Sequence, residues 1–241
     1  MQIAIISDIH GNLLALETVM AEINRRKPDL VINLGDCVSG PFWPKETYDY
    51  LKSLNLPTVR GNHDRWLDER NIEEINPGYN HAYHQLSTTE RQELGNLPSR
   101  LYLNEDIFAF HGTPDSDTEY LLQDKVDNRL AVATSNDVFK RLNTANSASL
   151  YLCGHSHLAH VAMGPNGSTI INPGSVGCPR YVDYDNPMQG ECGSAHAHFA
   201  MASKTDKRWS VDLIALDYDW SRVAQKAIEN GFPSWAKVYN D

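Results

Sequence analysis

Short apolar runs punctuate the chain, and each ends in a polar cluster. The runs are Ile3-Ala4-Ile5-Ile6, Leu30-Val31-Ile32-Asn33-Leu34, Thr58-Val59, Ile107-Phe108-Ala109-Phe110 and Leu150-Tyr151-Leu152-Cys153. Short runs rich in Val and Ile, bounded by Gly, Asp and Pro, read as buried strands. Between the first two, Leu13, Leu16, Val19, Met20 and Ile23 recur at helical spacing over Asn12 to Arg26, and Pro28 ends that helix. A second helix is expected from about Lys45 to Leu54, ahead of Pro57 and the third strand. Strands alternating with helices of this length imply βαβ units and a parallel sheet.

Residues 65 to 105 break that rhythm. The stretch from Asn71 to His84 is polar and mixed, Pro77-Gly78 marks a turn, and Ser87-Thr88-Thr89-Glu90 has capping-box spacing ahead of a short helix. This stretch reads as a helical insertion over the site and a source of substrate choice. Residues 116 to 146 read as largely helical, with Tyr120, Leu121, Leu122, Leu130, Val132, Val138 and Leu142 as core positions. From His160 the pattern turns to β: His160 to Met163, Ser168 to Ile171, Ala195 to Met201 and Trp209 to Leu216, with turns at Gly164 to Gly167 and Asp183 to Gly193. Trp220 to Asn230 reads as a closing helix with Gly231 as its C-cap. The whole chain, 1 to 241, is expected to form one domain.

The polar clusters carry the chemistry. They are Asp8-Ile9-His10, Gly35-Asp36, Gly61-Asn62-His63-Asp64, His111-Gly112 and Gly154-His155-Ser156-His157. Ligand sites of open α/β sheets lie beyond the carboxyl ends of the strands, so residues remote in sequence should meet there. Asp8, His10, Asp36, Asn62, His111, His155 and His157 are oxygen and nitrogen donors without a thiolate. Such a set suits zinc, manganese, iron or nickel. Their number suggests two divalent ions, for which Asp36 is the candidate bridge, since Gly35 lets the chain turn after a buried strand. Two such ions and two aspartates leave about +2 locally, enough to draw in phosphate, and a hydroxide bridging the ions would be a nucleophile at neutral pH. His63, flanked by Asn62 and Asp64, is the candidate proton donor to a leaving oxygen, with the Asp64 carboxylate holding its tautomer.

Composition narrows the partners. With 21 Lys and Arg against 31 Asp and Glu, the net charge of −10 argues against broad binding to nucleic acid or an anionic membrane. No stretch approaches the roughly 20 apolar residues that span a bilayer, and the first residues lack a signal-type pattern, so a cytoplasmic location is expected. Cys37, Cys153, Cys178 and Cys192 show neither zinc-ribbon nor disulfide spacing. Cys37 and Cys153 flank the clusters, where strand alternation turns them away and packing as small hydrophobes is the favoured reading.

The five ordered clusters resemble the motif set of calcineurin-like metallophosphoesterases. Asn172-Pro173-Gly174-Ser175-Val176-Gly177 resembles a segment of the small bacterial and archaeal branch. The resemblance covers positions 2 to about 180. It implies a four-layer αββα sandwich with a dinuclear site at the strand ends. One metal would be held by Asp8, His10 and His157, the other by Asn62, His111 and His155, with Asp36 between them. His63 matches the family's proton donor and Asp64 its partner. One departure is informative: the protein phosphatases carry Asp-Arg-Gly after the Gly-Asp, where this chain has Cys37-Val38-Ser39-Gly40-Pro41.

The function implied is a metal-dependent phosphoesterase acting on phosphodiester or phosphoanhydride bonds of a small nucleotide-type substrate. A phosphomonoesterase or protein phosphatase, a non-catalytic metal-binding scaffold and a nuclease are the alternatives; the missing arginine, the complete ligand set with His63 and the acidic balance weigh against them in turn. Exposed or packing roles are favoured for His81, His84, His196 and His198, helix capping for Asn12, a strand position for Arg60, a loop salt bridge over phosphate contact for Arg180, and solvation for the run Lys204 to Arg208. A homo-oligomer is left open.

Overall fold

The computed structural model describes residues 1–143, 148–183, 188–191, 193–206 and 208–240. The chain starts with β1 (Gln2–Ile6), α1 (Leu13–Arg26), β2 (Leu30–Asn33), α2 (Pro44–Leu54), α3 (Asn62–Glu69), α4 (Pro77–Gln85) and α5 (Thr88–Gly95). It continues with β3 (Arg100–Asn104), β4 (Ile107–Phe110), β5 (Gln123–Val126), β6 (Arg129–Val132), α6 (Ser135–Leu142), β7 (Leu150–Leu152), β8 (His160–Met163) and β9 (Thr169–Asn172). It ends with β10 (Arg180–Asp183), β11 (Met188–Glu191), β12 (Ala197–Thr205), β13 (Arg208–Leu216), α7 (Trp220–Glu229) and α8 (Pro233–Asn240).

Period-2 alternation in β1 builds two cores at once. Ile3 and Ile5 face inward with Ile32, Leu34, Ile107, Ala109, Leu150, Leu152 and Ile171, all fully buried. Ala4 and Ile6 face outward onto Leu16, Val19, Met20 and Ile23 of α1. The inner core lies between a sheet of order β13-β12-β1-β2 and one of order β3-β4-β7-β9-β8. On the far face of the second sheet, Phe108, Phe110, Tyr151 and Cys153 pack against Val138 and Leu142 of α6. The result is the αββα sandwich, with β1–β2 and β4–β7–β9 parallel, so five strands deliver their carboxyl ends to one edge. Among the described residues no helix is long and apolar enough to cross a membrane.

Several expectations need correction. The Thr58-Val59 run makes a single bridge to Asn33 rather than a strand. The insertion is helical only through Gly95, since Arg100–Asn104 is an edge strand paired with β4. Pro77 opens α4, capped by Asn76 Oδ1 accepting from Gly78 N at 3.0 Å, where a turn was expected. Residues 116 to 146 are not largely helical: β5 and β6 form a hairpin turning at Asp127-Asn128, and Val132 is 68% exposed rather than core. Within the expected turn from Asp183 to Gly193, Asp183 ends β10 and β11 spans Met188–Glu191, pairing antiparallel; 184–187 and 192 lie outside the described residues. The run Lys204 to Arg208 is not wholly solvated, because Lys204 pairs with Asp106 across the two sheets at 2.5 Å; Lys207 lies outside the described residues.

Replacing the inner-core residue Ile5 by Ala should lower the unfolding free energy by about 2–5 kcal/mol. Urea denaturation of the metal-free protein checks this. Glu105→Ala, an exposed control, should change it by no more than about 0.5 kcal/mol.

Candidate metal centre

Every strand that ends at the shared edge hands over a polar side chain, and the backbone turns abruptly to do so. Asp8 (φ 55°), His10 (φ 51°), Asp36 (φ 56°), His155 (φ 66°) and His157 (φ 60°) all lie in the left-handed region. That conformation costs a non-glycine residue about 1 kcal/mol or more. Backbone hydrogen bonds hold it in place. The amides of Ile9 and His10 both donate to the Asp36 carbonyl at 3.0 Å, Asp8 N to Gly35 O at 3.0 Å, and Gly154 N to His111 O at 2.7 Å. Gly35 turns at φ 97°, and a Cβ there would stand 2.4 Å from Gly61 N.

Three imidazoles are oriented the same way. Nδ1–H of His10 donates to Ser39 O at 2.8 Å, that of His111 to Leu34 O at 2.7 Å, and that of His157 to Cys178 O at 2.7 Å. A carbonyl only accepts, so each Nδ1 carries a proton and each Nε2 is turned into the centre. There the Nε2 atoms of His10 and His157 face each other at 3.1 Å. His157 Nε2 is 3.4 Å from Asp8 Oδ1, and His111 Nε2 is 3.1 Å from Asn62 Oδ1. Asp36 Oδ2 lies 3.3 Å from His111 Nε2 and 3.7 Å from His10 Nε2.

Among the described residues these donors form overlapping groups able to hold an ion: Asp8, His10 and Asp36; Asp36, His111 and His155; and His10, His157 and Cys178. Asp36 belongs to the first two. Asp8 Oδ1 is fully buried without a hydrogen-bond partner. A buried carboxylate oxygen without a hydrogen bond is costly unless positive charge meets it, and with imidazole nitrogens around it this donor set fits divalent metal.

The charges say the same. Burial alone would raise the pKa of Asp8, but the imidazoles of His157 and His111 pull it down to about 2; Asp36 is lowered likewise, chiefly by His111 against burial. Burial opposes a charged His111, yet Asp36 lifts its pKa to about 10, and Asp8 lifts that of His157 well above the usual value. Burial pushes His10 and His155 down to about 4 and His63 to about 3. Two carboxylates are thus balanced by two imidazolium groups, and protons occupy the place of a bound cation.

Asp64 does something other than orient the imidazole of His63. Its oxygens accept the backbone N–H groups of Asp36, Cys37 and Gly61, each at 2.9 Å, which ties the second and third clusters together. His63 is reached through its own amide, which donates to Asp36 Oδ1 at 2.9 Å. The segment from Asn172 to Gly177 is a second brace. Asn172 Nδ2 donates to Gly154 O at 2.7 Å, and Ser175 Oγ to Asp8 O at 2.7 Å.

Aromatic rings surround His63: Tyr79 of α4 at 4.2 Å and Trp66 at 4.8 Å between centroids, with Trp235 of α8 behind Tyr79 at 5.2 Å. Tyr120 stacks on His155 at 4.7 Å. Sequence reading missed these rings and Cys178; the Tyr and Trp content of the insertion is the signal that was available. Arg60 points to the end of α5, donating to Gly95 O at 2.9 Å, and Asn12 caps α1 by accepting from Ala15 N at 3.2 Å. His81 packs on Phe232 and His84 is exposed. His196 lies against Trp220, and Arg180 is half-buried at the start of β10. Cys37 and Cys153 stay out of the donor groups, Cys37 meeting Asn33 Nδ2 at 3.3 Å and Cys153 packing in an apolar cluster.

Comparison with known proteins gives this geometry a lineage. A family model described as calcineurin-like phosphoesterase matches residues 1–159. The uncharacterised protein MJ0912 of Methanocaldococcus jannaschii is 28% identical over 97% of this chain and 94% of its own. A metallophosphoesterase from Sphaerobacter thermophilus superposes with a TM-score of 0.73 at 26% identity, covering 99% of this chain and 98% of that one. The hypothetical protein PH1004 of Pyrococcus horikoshii does so with a TM-score of 0.75 at 19% identity, covering 98% and 96%. With the family model spanning well over half its length, the chain belongs to the calcineurin-like phosphoesterase family, whose members are phosphoester hydrolases that use divalent metals.

Proposed function

We propose that this chain hydrolyses phosphodiester or phosphoanhydride bonds of a small nucleotide-type substrate at a dinuclear metal centre. The observation that carries the reading is the position of Asp36, whose Oδ2 lies between the inward-facing Nε2 atoms of His10 and His111. One ion would be held by Asp8, His10 and His157, the other by Asn62, His111 and His155, with Asp36 shared. Divalent ions in such a site supply positive charge to a phosphate and make hydroxide available at neutral pH.

The chain's own residues do the remainder. His63 stands beside the donors, its amide fixed on Asp36 and its ring bounded by Tyr79 and Trp66. It is neutral when the site is empty of substrate, because burial holds its pKa near 3. An anionic phosphate arriving against it favours the imidazolium, which can then protonate the leaving oxygen. Asp64 acts at one remove, by fixing the amides of Asp36, Cys37 and Gly61. The stretch Cys37-Val38-Ser39-Gly40-Pro41 lacks the arginine that the protein phosphatases of the family carry shortly after the Gly-Asp, and so offers no second phosphate clamp. That favours small esters over phosphoprotein.

Three outcomes are expected. With manganese or nickel added, the purified protein should hydrolyse a chromogenic phosphodiester, and a panel of monoester, diester, cyclic nucleotide, dinucleoside polyphosphate and phosphopeptide ranks the substrates. His63→Ala should lower turnover by about 10²-fold or more at unchanged metal content; full activity in that variant removes His63 from the chemistry. Metal uptake should displace the protons on His111 and His157, about two per two-metal centre at neutral pH. Because the metal-free pKa of His111 is raised to about 10, metal affinity should climb as pH rises from 6 to 9. Calorimetry in two buffers of different ionisation enthalpy measures that release, and a pH-independent affinity would contradict it.

A further inference from the structure

One nucleophile near the centre has no part in the scheme above. Cys178 is 1% exposed, and its Sγ lies within 4.8 Å of a ring nitrogen of His10 and of His157, which are themselves close neighbours. Its backbone is pinned on both sides: Cys178 N donates to Ser175 Oγ at 2.8 Å, and its carbonyl accepts from His157 Nδ1 at 2.7 Å. Only the side-chain torsion is left to vary. The thiol donates to Arg180 O at 3.3 Å, a weak bond that rotation can exchange.

A second observation marks the same place as a cation site. Asp8 Oδ1 is buried without a hydrogen-bond partner and faces His157 Nε2 at 3.4 Å, while the Nε2 atoms of His10 and His157 face each other. Ligands of one tetrahedral zinc-sized ion, with about 2.1 Å to nitrogen and about 2.3 Å to sulfur, stand about 3.6 Å apart. The sulfur therefore needs to close by at most about 1.2 Å, which rotation about its Cα–Cβ bond can supply. The other two described thiols have no such access, since Cys37 and Cys153 belong to none of the donor groups.

We propose that Cys178 is a thiolate ligand of the metal held by Asp8, His10 and His157. The inference rests on the metal-centre reading of the preceding subsection. On coordination the S–H proton passes to the buffer and the sulfur lone pair forms the metal bond. The two positions then differ in kind. The Asp8 position gains a soft donor and selects zinc, iron, cobalt or cadmium, while the position of Asn62, His111 and His155 keeps only oxygen and nitrogen donors and accepts manganese as readily.

Cobalt(II) added to the metal-free full-length protein under anaerobic conditions tests this through absorption rather than activity. The wild type should bind two cobalt ions per chain and show a near-ultraviolet thiolate-to-cobalt charge-transfer band. Cys178→Ser should lose that band and keep two ions, whereas Cys153→Ser should keep it. In competition titrations Cys178→Ser should weaken cadmium binding by about tenfold or more and leave manganese within about threefold. Cadmium NMR of the wild type needs no variant and should give one sulfur-shifted resonance and one oxygen- and nitrogen-type resonance. Two bound ions without a sulfur signature, or a band that survives Cys178→Ser, overturns the proposal and leaves the metal centre standing. A chain that binds no cobalt overturns both.

Discussion

Two carboxylates, Asp8 and Asp36, sit at 0% and 1% exposure where two sheets meet, and charge so deep in a protein must be met by charge. Much of the architecture follows from that demand. Four imidazoles from three strand ends converge on the carboxylates, and backbone carbonyls turn three of them so that Nε2 faces inward. The backbone accepts left-handed conformations at five of these positions to bring the groups together. Strain of that kind persists only where surroundings over-determine it, and here the amide bonds to Gly35, Asp36 and Asp64 do so. Without cations, His111 and His157 hold protons that balance the aspartates. Metal binding is on this view an exchange of protons for ions within a fixed frame.

How much of this was legible in the sequence depends on the length scale of each signal. The strand-end clusters were readable because an apolar run ending in Asp or His gives both the strand and its terminal side chain. Long-range closure follows from topology, since parallel strands deliver their ends to one edge. The β5–β6 hairpin is hard to see in the sequence because Lys125, Val126, Arg129 and Val132 are exposed and leave no core periodicity. Its available mark was Asp127-Asn128, both left-handed, as a tight hairpin turn requires. Pro77-Gly78 carries the dipeptide signal of a turn, yet proline at the first helical position favours a helix.

The site shows the same division. Donor identities were legible, but the bonds that orient them were not, because Leu34, Ser39 and Cys178 contribute carbonyls that any residue could supply. Asp64 beside His63 in sequence suggested a pair. In space its oxygens serve three amides instead, because α3 begins at Asn62 and its capping geometry turns Asp64 back onto Gly61. The rings of Tyr79 and Trp235 reach the site from α4 and α8, which approach closely enough that a Cβ on Gly78 would stand 2.2 Å from Trp235 Nε1. Such contacts depend on packing between segments more than 150 residues apart, which local patterning does not encode.

In the proposed centre Asp36 joins two metal positions. Anomalous diffraction from crystals of the protein loaded with manganese or zinc measures this directly. Two peaks about 3.5–4 Å apart, both in contact with the Asp36 carboxylate, are the predicted result. A single peak, or ions that leave Asp36 untouched, would contradict it.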